Sequence, residues 1–501
     1  MPWANKRSLG SSAGAWGFVD VQSSLSPWAQ AVNTRLMRPL KLCFLPLLAI
    51  SLVHCNNPML IVDVDIDYWP SEAKTLLLVT TLNGQPGKEQ RLSPDERRLA
   101  IHLPADASGT VAVRVYGMDA GDCIKAEGSL EASVPTSLNR TEQHSIKMTR
   151  PSKPKCSFTA LSTTLSTVPS LTSVWGSDVD NVYVVGGGGA DASAETILRC
   201  SSSSEPCNLL NLGRPGTKNF ANKAVWGSDA HNVFVVSEAS RIRRCSVGES
   251  QCLELSAPMS LPAFASVWGS DPQNVYAVGQ GTIVRCAGST GTCSQLTSTA
   301  TNWLNRVWGS DSEYVYAVGG DAYFCGPGTL SEIVRCRATS SDCEKLSVPS
   351  DSSLCGVWGS DAGNVYAVGG KGAIVRCTAA TNRCTKLNSG TTQLLYSVWG
   401  SDAGNVYVVG DNTIVRCRAG SDTCTSLNPG TVSVFRAVWG SDARNVYVVG
   451  TGGVVVRCAA GEEQCTPLTT NVKTELRAVF GIDSNNVYVV GESGTILRRR
   501  L

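Results

Sequence analysis

Cysteines are the residues of this sequence that could most readily do chemistry, and their spacing restricts which chemistry that is. Fourteen of the 20 cysteines form seven pairs of the form Cys-x6-Cys: Cys200/Cys207, Cys245/Cys252, Cys286/Cys293, Cys336/Cys343, Cys377/Cys384, Cys417/Cys424 and Cys458/Cys465. This spacing is not a zinc-site spacing, and the chain has only 4 histidines. Because opposed positions on antiparallel strands can meet disulfide geometry, we predict seven local disulfides, no metal site and an oxidising compartment.

Six further cysteines fall outside this pattern, and five of them have an expected role. Cys325 and Cys355 are predicted to form a disulfide that pins a long loop. Cys123 and Cys156 are predicted to pair with each other. Cys55 ends a sequence, Leu-Val-His-Cys, that resembles a bacterial lipobox, so lipidation of Cys55 is expected even though the preceding histidine departs from the usual small residue.

Three aromatic residues are candidates for ligand contact. Tyr323 and Phe324 stand next to Cys325, and Trp303 lies in a preceding loop. Exposed aromatic side chains on a pinned loop would suit a contact with a sugar or a protein. In the competing interpretation they pack under the loop or between sheets.

A repeated segment positions most of these residues. The segment SVWGSDVDNVYVVG at 173–186 recurs seven more times, and its anchor aromatics are Trp175, Trp226, Trp268, Trp308, Trp358, Trp399, Trp439 and Phe480. A period near 40 residues built from short strands indicates the blades of a β-propeller. Each repeat reads as four antiparallel strands, a to d, in which the anchor aromatic packs between blades and the Asp of GSD caps the a–b turn. Each Cys-x6-Cys pair is expected to join strand c to strand d, and Cys424 is expected to open the strand d of its repeat.

The last repeat has strands a to c only, with Arg499 where the others have cysteine. Residues 156–161 resemble a strand d and precede the first repeat, so we expect them to pair with the C-terminal blade and close the ring. This gives eight blades, with a seven-bladed ring as the alternative.

The loop lengths distinguish the two faces of the predicted propeller. The a–b turns and the c–d hairpins keep nearly constant lengths. Every length change falls in the b–c and d–a loops, of which the longest is Gly319–Glu332. Because binding residues commonly lie on loops that a rigid scaffold holds, we predict that the b–c and d–a loops form the binding face. We call this surface the loop face.

The segments before the propeller have a separate organisation. Residues 1–36 are expected to be unstructured or a mis-annotated extension, and 37–55 read as a signal peptide too short to span a membrane. Residues 56–149 contain about seven short alternating strands, which predicts an immunoglobulin- or fibronectin-like β-sandwich. A linker at 150–155 leads to the propeller at 156–501.

The run NVYAVG…GTIVRC resembles propeller repeats of the photosystem II stability/assembly-factor type, and also the tandem VWGS repeats of secreted bacterial proteins. The resemblance covers 173–501 and implies the propeller fold. The Cys-x6-Cys hairpin replaces the usual Asp-Gly-Gly and Trp ending, so no photosynthetic role is carried over.

No HExxH, P-loop or strand–turn–helix GxSxG motif is present, and the net charge of +2 does not indicate nucleic acid. The expected function is non-enzymatic: a monomeric, cofactor-free binding or scaffold protein of the cell envelope, exported as an outer-membrane or surface lipoprotein or secreted, that recognises a protein or polysaccharide. A carbohydrate-active enzyme, which would carry a charged, non-repeated cluster at the central channel, is one alternative. A purely structural envelope lipoprotein, which would have no concave polar pocket, is the other.

Overall fold

The computed structural model describes residues 21–23, 59–65, 68–86, 90–103, 107–120, 123–134, 141–151, 155–156, 158–165, 169–187, 195–212, 220–249, 251–258, 262–300, 302–310, 313–321, 330–337 and 340–499. The chain divides into two compact units, Met1–Cys156 and Ser157–Leu501. Both units consist of β-strands, and the described residues contain no α-helix. None of these residues forms a helix long and apolar enough to cross a bilayer.

The N-terminal unit contains two sheets around one apolar core. Its strands are β1 (Val21–Ser23), β2 (Met59–Asp65), β3 (Thr75–Leu82), β4 (Gln85–Pro86), β5 (Gln90–Leu92), β6 (Arg98–His102), β7 (Thr110–Met118), β8 (Cys123–Ser133), β9 (Thr141–Lys147) and β10 (Lys155–Cys156). One sheet has the order β1-β6-β2-β9, and the other has the order β10-β8-β7-β3-β4, with β5 also on β3. Alternate residues of these strands, among them Leu60, Leu78 and Val113, bury their side chains in a shared core.

The second unit contains eight four-stranded antiparallel sheets, one for each repeat, in chain order. Sheet 1 is β12 (Leu171–Asp178), β13 (Asn181–Gly186), β14 (Thr196–Cys200) and β15 (Asn208–Leu209); sheet 2 is β16 (Asn222–Asp229), β17 (Asn232–Ser237), β18 (Ile242–Cys245) and β19 (Leu253–Glu254); sheet 3 is β20 (Phe264–Asp271), β21 (Asn274–Gly279), β22 (Ile283–Ala287) and β23 (Thr292–Gln295); sheet 4 is β24 (Trp303–Gly309), β25 (Val315–Gly320), β26 (Ser331–Cys336) and β27 (Cys343–Lys345); sheet 5 is β28 (Leu354–Asp361), β29 (Asn364–Gly369), β30 (Ile374–Cys377) and β31 (Cys384–Leu387); sheet 6 is β32 (Leu395–Asp402), β33 (Asn405–Gly410), β34 (Thr413–Cys417) and β35 (Thr425–Leu427); sheet 7 is β36 (Phe435–Asp442), β37 (Asn445–Gly450), β38 (Val455–Cys458) and β39 (Thr466–Leu468).

Sheet 8 differs because its outer strand comes from the other end of the unit. It pairs β11 (Phe158–Ala160) with β42 (Ile496–Arg499), which continues to β41 (Asn486–Gly491) and β40 (Leu476–Asp483). The neighbouring Cys156 lies instead in the N-terminal unit, opposite Cys123 on β8. The backbone therefore leaves one unit and enters the other between Cys156 and Phe158.

The first strands of the sheets pack against one another in cyclic order. Strand β12 contacts both β16 of sheet 2 and β40 of sheet 8. The second strands are apolar and almost wholly buried, as in Asn405–Gly410, because a neighbouring sheet covers each of their faces. The arrangement is a β-propeller of repeated four-stranded sheets. The d–a loops lie where each strand a begins, and the b–c loops lie where each strand b ends.

All seven Cys-x6-Cys pairs are disulfides in the structure. In sheets 3, 4 and 5 the two cysteines are directly opposed in register across strands c and d. The seven disulfides, in the order of sheets 1 to 7, are Cys200–Cys207, Cys245–Cys252, Cys286–Cys293, Cys336–Cys343, Cys377–Cys384, Cys417–Cys424 and Cys458–Cys465.

The prediction that Cys424 opens strand d is corrected, because β35 begins at Thr425, and the place of the second cysteine varies between sheets. Cys343 and Cys384 do open their strands d, whereas Cys293 is the second residue of β23. In sheets 1, 2, 6 and 7 the second cysteine lies one residue before strand d, and these residues are Cys207, Cys252, Cys424 and Cys465.

The backbone hydrogen bonds of the second cysteines connect neighbouring sheets. In each of the seven sheets the N–H of this residue donates to a carbonyl that follows strand d of the preceding sheet, and not to strand c. The disulfide therefore ties this residue to strand c of its own sheet, while its N–H ties it to the neighbouring sheet. Four examples are Cys207 to Ser162 at 2.9 Å, Cys252 to Asn211 at 3.0 Å, Cys293 to Ser256 at 2.8 Å and Cys465 to Asn428 at 2.7 Å.

Sheet 8 has no disulfide at the corresponding position. It places Phe158 opposite Arg499, and both side chains are buried. An apolar and cationic pair thus occupies the place of the cross-strand disulfide.

Candidate functional site: a pocket at the centre of the propeller

A β-bulge lies at the start of every strand a. In sheet 6, Leu395 is opposite Gly410 and Ser397 is opposite Val409, so Tyr396 is an extra residue without a cross-strand partner. A bulge re-aims the side chain of its extra residue. The eight bulge residues are Thr172, Lys223, Ala265, Asn305, Cys355, Tyr396, Arg436 and Arg477.

Seven of the eight bulge residues, all except Cys355, line one cavity of about 290 Å³, together with Arg306 and Glu475. We call it the central pocket. Because each strand a begins directly after a d–a loop, the pocket lies at the loop-face end of the strands. The bulges therefore bring side chains that are far apart in sequence to one place.

Two arginines hold the carboxylate of the pocket. Arg436 Nε donates to Glu475 Oε1 at 2.6 Å, and Arg477 Nη2 lies 3.7 Å from Glu475 Oε2 and 2.7 Å from Glu492 Oε1. The Arg436 guanidinium also lies 4.7 Å from the centre of the Tyr396 ring, which is a cation–π contact. One face of this ring is thus covered by a protein side chain.

The Tyr396 phenol titrates above its ordinary range. Burial of the phenol is the main cause of its raised pKa, while the nearby Arg436 lowers it and Asp411 raises it. The phenol therefore stays protonated at neutral pH and can donate a hydrogen bond.

Two further cations face the pocket. Lys223 Nζ lies 3.0 Å from Glu238 Oε1. Burial lowers the pKa of Lys223, Glu238 opposes that shift, and the positive charges of Arg477 and Arg306 lower it further. Arg306 is exposed, its guanidinium donates to the Asn305 backbone carbonyl at 3.2 Å, and no described carboxylate lies within ion-pair distance of it.

Asn305 supplies a buried hydrogen-bond acceptor without a partner. Its side-chain Nδ2 donates to the backbone carbonyl of Leu354 at 2.9 Å, whereas Oδ1 is buried and accepts no hydrogen bond from the described residues. A buried acceptor left unpaired costs free energy. Asn305 therefore adds a polar atom beneath the pocket surface, while the cations of the lining can bind an anion.

Each of the two longest b–c loops ends in a buried glutamate, next to or within the start of strand c. Glu195 accepts hydrogen bonds from Arg243 at 3.0 Å and Arg241 at 2.9 Å, which tie sheet 1 to sheet 2. Burial raises the pKa of Glu195, but the hydrogen bond from Arg243 contributes to a net shift below the ordinary value. Glu332 accepts from Lys345 Nζ at 2.9 Å and from the Asn302 backbone at 3.1 Å. These contacts fix the loops at their ends.

The repeated polar and aromatic residues have structural roles on the opposite face. Each described Asp of the GSD segments caps its own turn: Asp402 Oδ1 accepts from the Gly404 backbone at 2.7 Å and from Asn405 Nδ2 at 3.2 Å. No group of three metal-binding side chains occurs in the described part of the chain. The Trp358 ring lies so close to Gly400 that a Cβ added there would be 2.6 Å from it. The predictions of turn capping and of packing between blades are therefore confirmed.

The central pocket is not where the sequence placed its candidate ligand contacts. Trp303 is half-buried in β24 and is not among the residues that line the pocket. Cys355 lies in β28 rather than in a loop, and its side chain is buried. Tyr323, Phe324, Cys325 and Cys55 lie outside the described residues, so the Cys325–Cys355 disulfide and the lipidation of Cys55 stay predictions.

The other predicted cysteine sites are also separate from the pocket. Cys123 is disulfide-bonded and opposite Cys156 in register. None of the seven hairpin disulfides contributes a lining residue, so their role in this unit is structural.

A signal for the pocket was present in the sequence. Three residues before each anchor aromatic, the eight repeats differ in size and charge, from Ala265 to Tyr396 to Arg477, while the anchor segment that follows is nearly constant. An alignment of the repeats would have shown one variable column inside a repeated strand.

Comparisons with known proteins support the fold and do not define a family. No family model and no curated protein matches the chain. The computationally designed Ika8 protein matches 68% of this chain and 100% of its own, with 16% identity and a TM-score of 0.53. The C-terminal WD40 domain of Sif2 matches 66% of this chain and 96% of its own, with 12% identity and a TM-score of 0.51. "YCF48 bound to D1 peptide" matches 70% of this chain and 99% of its own, with 12% identity and a TM-score of 0.49. At such identities the likeness to the designed Ika8 protein and to the Sif2 domain shows the propeller fold alone.

Proposed function

We propose that this protein is an extracytoplasmic binding protein that recognises its partner through the loop face, with the central pocket as the specific site. The observation that carries this proposal is that seven bulge residues of different chemistry converge on one pocket. A purely structural ring would gain nothing from a concave site with unpaired polar groups, which cost stability.

The proposal includes the architecture and the location. The eight sheets would form one eight-bladed ring, closed by β11, and the two N-terminal sheets would form a β-sandwich. Seven disulfides support an oxidising compartment outside the cytoplasm. Lipidation of Cys55 would hold the protein at the outer membrane or the cell surface, and the partner would be a protein or polysaccharide of the cell envelope.

The proposal is tested by binding the purified, oxidised protein to arrays of envelope polysaccharides and surface proteins. Replacement of Arg477 by Ala removes two ion pairs in the pocket. Replacement of the exposed Arg444, in the a–b turn on the opposite face, by Ala is the matched control. We expect the Arg477 variant to lose at least about tenfold in affinity for any specific hit, and the control to bind normally.

The double variant Tyr323→Ala/Phe324→Ala tests whether the long loop contributes to the same contact. Equal binding by the Arg477 variant, the Arg444 variant and the unchanged protein would contradict a role for the central pocket.

A second candidate function is a hydrolase of acidic glycans, because the pocket holds the charged, non-repeated cluster that such an enzyme requires. Two features favour binding. Glycoside hydrolysis usually takes two carboxyl groups, whereas Glu475 is the one carboxylate among the described lining residues. The raised pKa of Tyr396 also disfavours a nucleophilic phenolate. Release of reducing ends from an envelope polysaccharide, lost on Glu475→Gln, would favour the enzyme instead.

A further inference from the structure

We propose that the central pocket binds a single acidic sugar residue of a polysaccharide and that Arg306 holds the carboxylate of that sugar. This inference rests on the proposed function, because it names the ligand of the same site. It follows from three properties of the pocket: the charge of its lining, its hydrogen-bonding groups and its size.

The lining is cationic. Lys223, Arg306, Arg436 and Arg477 face the cavity, and Glu475 is the carboxylate among the lining residues. Outside the lining, Glu238 pairs with Lys223 and Glu492 pairs with Arg477. The cation that remains available is Arg306, which has no described carboxylate within ion-pair distance. A guanidinium fork binds a carboxylate through two parallel hydrogen bonds.

The hydrogen-bonding groups suit a ring that carries hydroxyls. Apart from Ala265, every described lining residue carries a hydrogen-bonding or charged group. Thr172 Oγ1 already donates to the Asn222 carbonyl at 2.7 Å, which leaves it able to accept, and the protonated Tyr396 phenol can donate. An acceptor and a donor beside fixed cations match a sugar that has hydroxyls and a carboxylate.

The size limits the ligand to one residue. A volume of about 290 Å³ is at the lower end of the roughly 300–1,000 Å³ typical of ligand sites. One hexose ring fits such a cavity, and the rest of a polysaccharide would continue over the b–c and d–a loops. The covered face of Tyr396 also explains why recognition here would rely on charge and hydrogen bonds rather than on ring stacking.

The test measures binding of methyl glucuronide, methyl galacturonide and the methyl glycoside of N-acetylneuraminate to the full oxidised protein by ligand-observed NMR. Methyl glucoside and methyl galactoside are the matched neutral probes, and N-acetylglycine presents a peptide-type carboxylate. We expect at least one acidic sugar to bind at least about tenfold more tightly than its neutral counterpart, and more weakly as salt rises from about 50 to about 500 mM. Acidic oligosaccharides that end in the same sugar should bind at least as tightly as the monosaccharide.

Arg306→Gln should weaken acidic-sugar binding about tenfold, and Arg444→Gln should leave it unchanged. Because Arg306 is exposed and makes one 3.2 Å hydrogen bond to the backbone, its replacement should not unfold the protein. Pocket-dependent binding of neutral sugars or of N-acetylglycine with equal or higher affinity would overturn the acidic-sugar inference and leave the proposed function standing. Absence of any pocket-dependent binding, by these probes and by the envelope arrays, in a folded sample would overturn both.

Discussion

At the residue scale, the repeats contain two kinds of polar position with opposite behaviour. The turn aspartates are the same in every repeat and make similar bonds in the described turns, because each solves the same local problem of capping a turn. The bulge residues differ from repeat to repeat, because each contributes a different group to one shared pocket. Arg436 and Asp442 illustrate the contrast: they lie in one strand, yet the first meets Tyr396 and Glu475 of the neighbouring sheets while the second bonds only within its own turn.

The turn carboxylates make the free energy of unfolding decrease as the pH falls. The hydrogen bond from Ser360 is the main cause of the lowered pKa of Asp361, and Asn364 adds to it while burial opposes it. A carboxyl group with a lowered folded pKa contributes stability above its unfolded pKa of about 4, and that contribution is lost as the pH falls through the folded value. Ser360→Ala should therefore raise the pKa of Asp361 and move the start of acid unfolding to higher pH.

The pKa of Asp361 can be followed by NMR, and unfolding by circular dichroism between about pH 2 and 6. Ser421→Ala is a matched control, since Ser421 bonds to the Thr423 backbone carbonyl and to no carboxylate. If acid unfolding began at the same pH in the Ser360 variant as in the unchanged protein, the hydrogen bond from Ser360 would not stabilise the ionised Asp361.

At the element scale, a tryptophan of one sheet packs on a glycine of the next, and we call this contact the tryptophan–glycine lock. The six-membered ring of Trp358 packs on Gly400 of the next sheet, and Trp399 packs in the same way on Gly440. The last sheet has the smaller Phe480, and the atom closest to a Cβ at Gly176 in sheet 1 is Cδ1 of Ile482. The glycine after each anchor aromatic is thus required by close approach, not by backbone conformation.

Gly400→Ala should lower the free energy of unfolding by about 1–3 kcal/mol, because its Cβ would lie 2.6 Å from Trp358 and 2.8 Å from the Asn405 carbonyl oxygen. Adding Trp358→Phe should recover part of the loss by removing the ring that clashes. Gly420→Ala, where φ is +79° and the Cβ meets open space, should cost about 1 kcal/mol from backbone strain alone. Denaturant unfolding measures all three variants, and equal losses for Gly400→Ala and Gly420→Ala would contradict the lock.

The elements follow from the sequence of a single repeat, whereas the pocket shows only when the repeats are compared, and the reason is physical. Strand Asn405–Gly410 and the Cys417–Cys424 hairpin follow from local patterns: an apolar run, turn residues and a fixed cysteine spacing. The bulge at Tyr396 is a shift in register between two strands, and alternation within one strand does not reveal it. Local patterns therefore placed Trp303 and Cys355 in loops, although both belong to strands.

The contact between sheets at the second cysteine was also beyond a local pattern. The cysteine spacing fixes the disulfide of sheet 2, but the N–H of Cys252 donates to the carbonyl of Asn211, which follows strand d of the preceding sheet. The sequence of one repeat does not contain this contact.

At the scale of the whole molecule, the propeller is held together at one seam without a covalent bond in the sheet. Phe158 packs edge-on against Tyr447 of sheet 7, with ring centroids 6.2 Å apart, and the Arg499 guanidinium lies 5.6 Å from the centre of the same ring. These contacts replace the disulfide of the other sheets. The seam joins the two ends of the unit, so its strength affects every sheet through the ring.

Phe158→Ala should destabilise the propeller by about 3–5 kcal/mol and increase hydrogen exchange at the backbone amides of Ile496–Arg499. Phe234→Ala in sheet 2 removes an equally buried ring away from the seam and is the matched control. The control should lose comparable stability and keep those amides protected. Protection of Ile496–Arg499 that is the same in both variants would contradict the role of Phe158 at the seam.

The position of the closing strand also sets the order in which the protein can form. Each disulfide joins cysteines 7 positions apart, so every repeat can fold and oxidise soon after it is synthesised. Thr159 and Arg498, which bond across the seam, are 339 residues apart. Strand β11 is therefore synthesised before the other strands of this unit and is the last to pair. Until β42 is synthesised, β11 has no strand to pair with, and the β11 strand of another molecule could then pair with β42 instead.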